Sequence, residues 1–219
     1  MREDLTELVF IIDRSGSMYP LTEDTIGGFN GVLQKNKEEP GDCNVTTILF
    51  SGDHTLLHDR LPVKAVSPIT RKEYQPGGST ALLDAIGAGI CKISAVQAAT
   101  AEAYRAAKVQ FVIITDGMEN CSREYSKERI RRLITEKQQK ENWDFVFLGA
   151  NFDAVQEAET LGIHADRAVT AMADARGVKA QYESVETCIL TNRRAPSCAK
   201  RDASWKQAVL NDLASREEI

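Results

Sequence analysis

The chain has 219 residues, of which 42% are hydrophobic and 27% are charged, an ordinary composition for a globular protein. Its length suits one large α/β domain, or one domain with an appendage. The net charge of −5 comes without a long basic block, so we expect no nucleic-acid partner. No run approaches the ~18 apolar residues of a membrane span, so we expect no membrane partner.

The N-terminal residues and the cysteines indicate a reducing compartment. Met1–Leu8 is charged and lacks the apolar core of a signal peptide. The five cysteines are widely spaced, odd in number and without a CxxC pair; they are Cys43, Cys91, Cys121, Cys188 and Cys198. We therefore expect free thiols and a cytoplasmic location.

Continuous apolar runs predict strands that are buried on both faces, as in the middle of a parallel sheet. These runs are Leu8–Ile12, Phe111–Ile114 and Phe145–Leu148. Two further runs, Val45–Phe50 and Thr55–Leu57, are separated by a short polar turn. They predict a hairpin, and with it one antiparallel strand at the edge of the sheet.

The stretches between the strands carry apolar residues at helical spacing. The predicted helices are Thr22–Lys37, Ala81–Ala107, Ser126–Glu141, Asp153–Leu161 and Ala173–Thr191. Strands that alternate with helices predict a doubly wound α/β fold. We expect a central, mostly parallel sheet with one antiparallel edge strand and helices on both faces, as in Rossmann-like folds.

The composition changes after Arg194, where Ala195-Pro196-Ser197 interrupts the helical pattern. We expect residues 5–194 to form the domain and residues 195–219 to form a C-terminal tail. Within the tail, Ala203–Leu213 predicts one short helix. Terminal segments commonly dock or fray, so the tail is expected to be a docked helix or partly disordered. A partner-binding tail is the alternative.

Oxygen-bearing side chains follow two of the predicted strands. Asp13, Ser15 and Ser17 occupy alternate positions directly after the first strand. Asp116 follows a later strand, and Thr80 follows a glycine-rich turn before a helix. In an open α/β sheet, the loops beyond the carboxyl ends of the strands form the ligand crevice. A set of hard oxygens suits Mg²⁺, Mn²⁺ or Ca²⁺ and suits zinc or copper poorly.

This pattern resembles a von Willebrand factor A domain with an intact metal-ion-dependent adhesion site (MIDAS). The family's motif is DxSxS, then a threonine after a glycine-rich turn, then an aspartate after a later strand. The matching residues are Asp13, Ser15, Ser17, Thr80 and Asp116. The resemblance covers about Leu5–Leu161 and extends toward Arg194. Tyr74–Gly78 and Phe147–Asn151 are more similar to bacterial or phage cytoplasmic members than to secreted adhesion receptors.

The resemblance implies how the site would work. In such domains the serine and threonine hydroxyls ligate the metal directly, and the aspartates often act through water. Mg²⁺ prefers six oxygens, so a protein partner's Asp or Glu can complete the coordination. We expect a protein-binding module of an intracellular complex. The expected rim residues are Arg14, Met18, Tyr19, Gly78, Met118, Glu119 and Asn120.

Other interpretations of the same residues remain open. The aspartates and serines can simply cap helices. A metal-dependent phosphoester hydrolase is the alternative function, because bound Mg²⁺ can activate water. A third interpretation is a scaffold whose metal is structural. No GxSxG or GxxxxGK[ST] motif occurs, so we expect no catalytic residues and no enzyme.

Several residues near these motifs have ordinary structural interpretations. We expect Asp84 to accept structural hydrogen bonds and Asp153 to cap the next helix. Cys121 is expected to be a packed or idle thiol. The three histidines lack acidic or thiol partners at metal-ligand spacing, so we expect them on the surface or in loops; they are His54, His58 and His164.

Overall fold

The computed structural model describes residues 1–217, whose strands form one six-stranded sheet. The strands are β1 (Arg2–Asp13), β2 (Asp42–Phe50), β3 (His54–Pro62), β4 (Ala106–Thr115), β5 (Asp144–Ala150) and β6 (Ala168–Ala171). They lie in the order β3-β2-β1-β4-β5-β6. β3 pairs antiparallel with β2, and every other neighbouring pair is parallel. The fold class predicted from the sequence is confirmed.

Helices cover both faces of this sheet. They are α1 (Thr22–Glu38), α2 (Leu82–Ala99), α3 (Lys127–Glu141), α4 (Ala154–Thr160), α5 (Ala175–Arg194) and α6 (Gln207–Glu217). The core on one face is shared by α1, α5 and α6, and the core on the other face by α2, α3 and α4. In β1, Phe10 and Ile12 enter the first core while Val9 and Ile11 enter the second. Burial on both faces explains why this strand is a continuous apolar run.

Helix α2 is apolar enough to cross a membrane by length and composition alone, with a mean hydropathy of 1.4 over 18 residues. No such segment was predicted from the sequence. In the structure α2 packs on the sheet, with Leu82, Ile86 and Ile93 fully buried. A Cβ atom on Gly89 would stand only 3.1 Å from the Phe111 ring. The hydropathy of α2 is therefore that of a core helix.

The predicted end of the alanine-rich helix and the predicted start of the next strand differ from the structure. The alanine-rich helix ends at Ala99 and not at Ala107, and Thr100 Oγ1 donates to Val96 O (2.7 Å) at its end. Ala106 and Ala107 instead begin β4, where Ala106 pairs with Arg2. Alanine favours helices, but pairing with β1 prevails here. Strand β6, which has only four residues, was not predicted from the sequence.

The segment after Arg194 packs on the domain. Helix α6 begins at Gln207, four residues later than predicted, and Val209 is buried in the core that α1 and α5 share. Trp205 is buried in the same core, and its Nε1 donates to Asp166 O (2.9 Å). The last two residues of the predicted tail, 218 and 219, lie outside the described residues.

The prediction for His58 was wrong. This residue is buried, its Nδ1 lies 3.0 Å from Thr47 Oγ1, and its ring stacks on Phe29. Burial lowers the pKa of the imidazole. His58 points inward under α1 because of its position in the edge strand β3. Strand pairing sets that position, and the residue type alone does not reveal it. His54 and His164 are exposed, as predicted.

Candidate metal centre

Asp13 is the last residue of β1 and is fully buried. Its Oδ1 accepts a hydrogen bond from Ser15 N (2.7 Å), and its Oδ2 accepts one from Thr115 Oγ1 (2.6 Å). Thr115 ends the neighbouring strand β4. The Asp13 carboxylate therefore ties the loop after β1 to the end of β4.

The two serines and Asp116 form a continuous row of oxygens at this edge of the sheet. Ser15 Oγ lies 3.2 Å from Ser17 Oγ, and Ser17 Oγ donates to Asp116 Oδ1 (2.6 Å). Ser15 and Asp116 are buried, whereas Ser17 is exposed. The row is therefore buried at both ends and reaches the surface at Ser17.

The glycine-rich segment that carries Thr80 is attached to the backbone of the loop after β1. Gly77 N donates to Arg14 O (2.8 Å), and Gly16 N donates to Gly78 O (3.1 Å). Gly78 has a φ of 81°, which favours glycine over residues with a side chain. Beneath them, Tyr74 OH donates to Asp13 O (2.6 Å). These bonds fix the position of Thr80 relative to the serines.

Thr80 is held from the other side by the loop after β4. Thr80 N donates to Asn120 Oδ1 (2.9 Å), and Asn120 N donates to Thr80 O (3.0 Å). A Cβ atom on Gly117 would lie 3.5 Å from Thr80 Oγ1 and 4.0 Å from Ser17 Oγ. The hydroxyls of Thr80 and Ser17 therefore flank the same glycine, next to Asp116. The structure brings together all five residues that the sequence analysis selected.

The predicted rim residues fall into two groups. Tyr19, Met118 and Gly78 are exposed. Arg14 is half-buried, with Nη2 within 3.2 Å of Asp53 Oδ1 and 3.0 Å of Thr55 Oγ1.

The other predicted rim residues have structural roles. Met18 is buried in the core under α1, because the 3-10 turn after Ser15 directs it inward, so its assignment to the rim was wrong. Glu119 accepts from Leu83 N (2.9 Å) and Ser122 N (2.6 Å), which ties the loop after β4 to the start of α2. Asn120 is exposed, but its amide oxygen is used by Thr80 N.

Both carboxyls of the site have raised pKa values. Burial is the largest cause for Asp13, and the nearby charge of Asp116 adds to it. Burial likewise raises the pKa of Asp116, against a hydrogen bond from Ser17 that lowers it. A carboxylate that is desolvated in this way is stabilised by a nearby cation.

The donor set fits a small dication. Ligands on adjacent corners of an Mg²⁺ octahedron lie about 3.0 Å apart when each is about 2.1 Å from the metal. The 3.2 Å between Ser15 Oγ and Ser17 Oγ is close to that separation. Among residues 1–217 there is no group of three or more His, Cys, Asp or Glu side chains that could hold a metal ion. A metal at this edge would therefore depend on the hydroxyls.

Asp84 and Asp153 have the structural roles that the sequence analysis expected. Asp84 accepts from three successive backbone N–H groups, those of Arg123, Glu124 and Tyr125, at 2.8–2.9 Å. Asp153 Oδ1 accepts from Gln156 N (3.0 Å) and caps α4.

Three residues near the site were missed. Thr115 holds Asp13, Tyr74 holds the backbone of Asp13, and Asn151 Nδ2 lies 3.4 Å from Asp116 O. Asn151 has a φ of 63°, in the left-handed region. Thr115 directly precedes Asp116, and its place at a strand end was a usable signal. Tyr74 and Asn151 lie in segments that carried the resemblance, but no role at the site was predicted for either residue.

No protein-family model matches the sequence, and no curated protein matches it. Solved structures do match. The von Willebrand factor type A protein from Catenulispora acidiphila is 14% identical with a TM-score of 0.58, over 84% of this chain and 42% of its own. Manganese-loaded TRAP protein from Plasmodium vivax is 18% identical with a TM-score of 0.55, over 78% and 70%.

Proximal thread matrix protein 1 from the mussel byssus, with a zinc-occupied MIDAS motif, also matches. It is 14% identical with a TM-score of 0.57, over 84% of this chain and 46% of its own. Identities this low establish the fold alone, which is that of a von Willebrand factor A domain. The chain spans less than half the length of the Catenulispora and mussel proteins.

Proposed function

We propose that the chain is a divalent-metal-dependent protein-binding module with a MIDAS-type site. The observation that carries this proposal is the row of oxygens from Ser15 through Ser17 to Asp116, with Thr80 beside it. Ser15, Ser17 and Thr80 would ligate the metal through their hydroxyls. Asp13 uses both carboxylate oxygens to hold Ser15 and Thr115, which suits a role through water.

The ligand set favours an acidic partner. Three hydroxyls are neutral, so the two carboxylates would supply the only formal negative charge. Such a metal would retain exchangeable positions, because Mg²⁺ prefers six oxygens. An Asp or Glu side chain of a protein partner would displace water there and add charge. Metal binding would then be required for partner binding.

The identity of the metal is part of the proposal. We propose Mg²⁺, with Mn²⁺ and Ca²⁺ as substitutes, because the donors are all hard oxygens. The structural relatives support a divalent ion at such a site, since one is manganese-loaded and another has a zinc-occupied MIDAS motif. Zinc therefore belongs among the ions to be compared.

Binding is favoured over phosphoester hydrolysis. A two-metal hydrolase would need more carboxylates than the two found here. The absence of a cluster of three acidic, histidine or cysteine side chains among residues 1–217 supports this choice. His58 is buried and stacked on Phe29 in the core, so it is not available as a general base at the metal.

We propose a cytoplasmic location within an intracellular complex. The cysteines support a reducing compartment, because all five are free in the structure: Cys43, Cys91, Cys121, Cys188 and Cys198.

Calorimetry on chelator-treated protein tests the metal site. We expect Mg²⁺ or Mn²⁺ to bind with one-site stoichiometry and to raise the melting temperature as its concentration rises, because a ligand of the folded state stabilises it. The absence of both binding heat and a thermal shift in millimolar metal would contradict the proposal.

Variants separate the ligands from their neighbours. Thr80→Ala and Asp13→Ala should weaken metal binding at least tenfold and abolish metal-dependent capture of a partner. Asp116→Ala should have a milder effect than Asp13→Ala, because Asp13 also holds Ser15 N and Thr115 Oγ1 in place. Asp153→Ala, which only caps α4, is the matched control and should bind metal like the wild type. The hydrolase interpretation would replace this one if wild type cleaved a phosphoester and the Thr80 variant did not.

A further inference from the structure

Large apolar side chains are exposed around the proposed metal site. Among residues 1–217, eight large hydrophobic residues are exposed, and three of them follow the carboxyl ends of strands. Tyr19 is 71% exposed and stands two residues after Ser17. Met118 is 60% exposed and stands two residues after Asp116. Met172 is 46% exposed and directly follows β6. We call these three residues the apolar rim.

The strand register places the three residues of the apolar rim at one edge of the sheet, the edge formed by the carboxyl ends of the parallel strands. Ile114 of β4 pairs with Ile12 of β1 and with Leu148 of β5, so β1, β4 and β5 end side by side. Ala150 pairs with Ala171, so β6 ends at the same edge. Neighbouring strands lie about 4.8 Å apart, which puts the end of β6 about 10 Å from the end of β4. Met172 is therefore about 10 Å across the sheet from Asp116.

The other flank of the site is polar. On the β2 side the exposed residues include Gly52, Asp53, Gly78 and Ser79. A Cβ atom on Gly78 would lie 3.7 Å from Gly52 N, so these two loops are in contact. Nothing apolar and large is exposed in them. The apolar rim is thus confined to the α1 side and the β4–β6 side of the proposed metal.

We propose that the partner of this chain binds as an extended segment in which the metal-bound acidic residue is flanked by apolar side chains. This inference rests on the proposed function, because the metal would supply the contact with the acidic residue. An extended segment rises about 3.3 Å per residue and alternate side chains share one face, so the residues two positions from the acid face the protein with it, about 7 Å away. On one side this residue would contact Met118 and Met172, and on the other side it would contact Tyr19.

The chemistry of the rim supports this occupant. Methionine is unbranched and polarisable, so it adapts to apolar side chains of different shapes. Tyrosine adds a large apolar ring at a small cost in side-chain entropy. A polar or charged flank on the partner would leave these side chains exposed to water. The rim would therefore distinguish one acidic segment from another, while the metal recognises the carboxylate common to all of them.

Synthetic peptides test the proposal without knowledge of the natural partner. The probes are the fluorescein-labelled heptapeptide Ser-Leu-Ser-Asp-Ser-Leu-Ser, whose leucines share the face of the aspartate when the chain is extended, and its analogue with serine at both leucines. Their symmetry makes the chain direction irrelevant. In millimolar Mg²⁺ we expect the leucine peptide to bind about tenfold more tightly than the serine peptide. Replacement of its aspartate by asparagine, or addition of EDTA, should abolish binding.

Variants then identify the residues that cause the preference for the leucine peptide. The Met118→Ser and Met172→Ser double variant should bind both peptides equally and should keep the Mg²⁺ affinity of the wild type. Tyr19→Ser should reduce the preference for the leucine peptide. Tyr104→Ser is its matched control, because Tyr104 is also 71% exposed but precedes β4 at the opposite edge of the sheet.

The outcomes distinguish this inference from the proposed function. Equal binding of the two peptides by the wild type, with both still dependent on Mg²⁺ and aspartate, would overturn the apolar rim and leave the metal site intact. A preference that survives the double methionine variant would also overturn it. Peptide binding that persists in EDTA and after replacement of the aspartate by asparagine would overturn the proposed function, and this inference with it.

Discussion

Tyr74 contributes no ligand to the proposed metal, but its hydroxyl holds the backbone of Asp13 from below at 2.6 Å. The side chain is fully buried, so Tyr74→Phe removes one hydrogen bond and little packing. We expect a loss of about 1 kcal/mol in the free energy of unfolding, because Asp13 O loses its donor. We also expect a several-fold weaker Mg²⁺ affinity, measured by calorimetry, because the loop after β1 gains freedom.

Tyr182 provides the control for this substitution. It is buried in the same core, but its hydroxyl has no hydrogen-bond partner among the described residues. Tyr182→Phe should therefore leave the unfolding free energy unchanged or raise it slightly. Equal losses in the two variants would mean that the Tyr74 hydroxyl has no special role at the site.

The cysteines should differ in reactivity. Burial raises the pKa of the Cys43 and Cys188 thiols to about 12 in each case, so neither is a thiolate at neutral pH. Cys91 and Cys198 are exposed, and Cys121 is half-buried. We expect a thiol reagent to label Cys91 and Cys198 rapidly in native protein, Cys121 more slowly, and all five after denaturation without reductant. Fast labelling of Cys43 or Cys188, located by mass spectrometry, would contradict this packing.

The site shows which residues a sequence can reveal. The oxygens of Asp13, Ser15 and Asp116 were recognisable because each follows a strand at a shared edge. The inward turn of Met18 was not, because it depends on the 3-10 turn that precedes α1. The hydrogen bond of Tyr74 was also not predictable, since its partner Asp13 lies 61 residues away in the chain. Ligands leave a local signal, whereas the residues that hold them depend on tertiary contacts.

At the scale of elements, Asp84 joins α2 to the loop before α3. Its carboxylate accepts backbone N–H bonds from Arg123, Glu124 and Tyr125, and the side chain is largely buried. Asp84→Ala would leave these three donors without their acceptor. We expect a loss of about 3 kcal/mol in the free energy of unfolding, measured by urea denaturation. The Mg²⁺ affinity should change little, because Asp84 is not among the proposed ligands.

Asp84→Asn distinguishes a structural acceptor of backbone hydrogen bonds from a metal ligand. Its amide oxygen can still accept from Glu124 N and Tyr125 N, which share Oδ1, while the bond from Arg123 N to Oδ2 is lost. The loss of stability should then be clearly smaller than for alanine. A large fall in Mg²⁺ affinity with the asparagine variant would instead make Asp84 a metal ligand.

The elements themselves were predictable where their signals were local and long. The central strands were recognised from continuous apolar runs, and the hairpin from its polar turn. Strand β6 was missed because four residues are too short for a periodic pattern and its pairing with β5 is non-local. The start of β1 was missed because its first residues are charged, although Glu7 is buried and paired with Arg60 there.

At the scale of the whole molecule, α6 extends the core that α1 and α5 share. Trp205, just before α6, and Val209 within it contribute apolar area. Ion pairs join α6 to the start of α5. Arg216 binds Asp174 through two nitrogens, at 2.6 and 2.8 Å. Asp174 also caps α5 by accepting from Gly177 N (2.8 Å). The C-terminal segment is thus attached to the helix that follows β6 and Met172.

The ion pair between Asp174 and Arg216 should make the docking of α6 on α5 sensitive to acid. The bond with Arg216, aided by the one from Gly177 N, lowers the pKa of Asp174 to about 2. In the unfolded chain the pKa of an aspartate is about 3.9. A group whose pKa is lower in the folded state stabilises the fold above the unfolded value, and this contribution is lost as the pH falls. The relevant range is therefore about pH 4 to 2.

Asp174→Asn isolates the charge, because asparagine still caps helices well. We expect its urea midpoint to lie below that of the wild type at pH 6, and the gap to shrink at pH 3 and close near pH 2. The gap should be modest and smaller in high salt, since the Asp174 side chain is 47% exposed. Circular dichroism in urea at each pH measures it. A gap that stays constant or widens on acidification would show that the ion pair with Arg216 does not stabilise the docked helix.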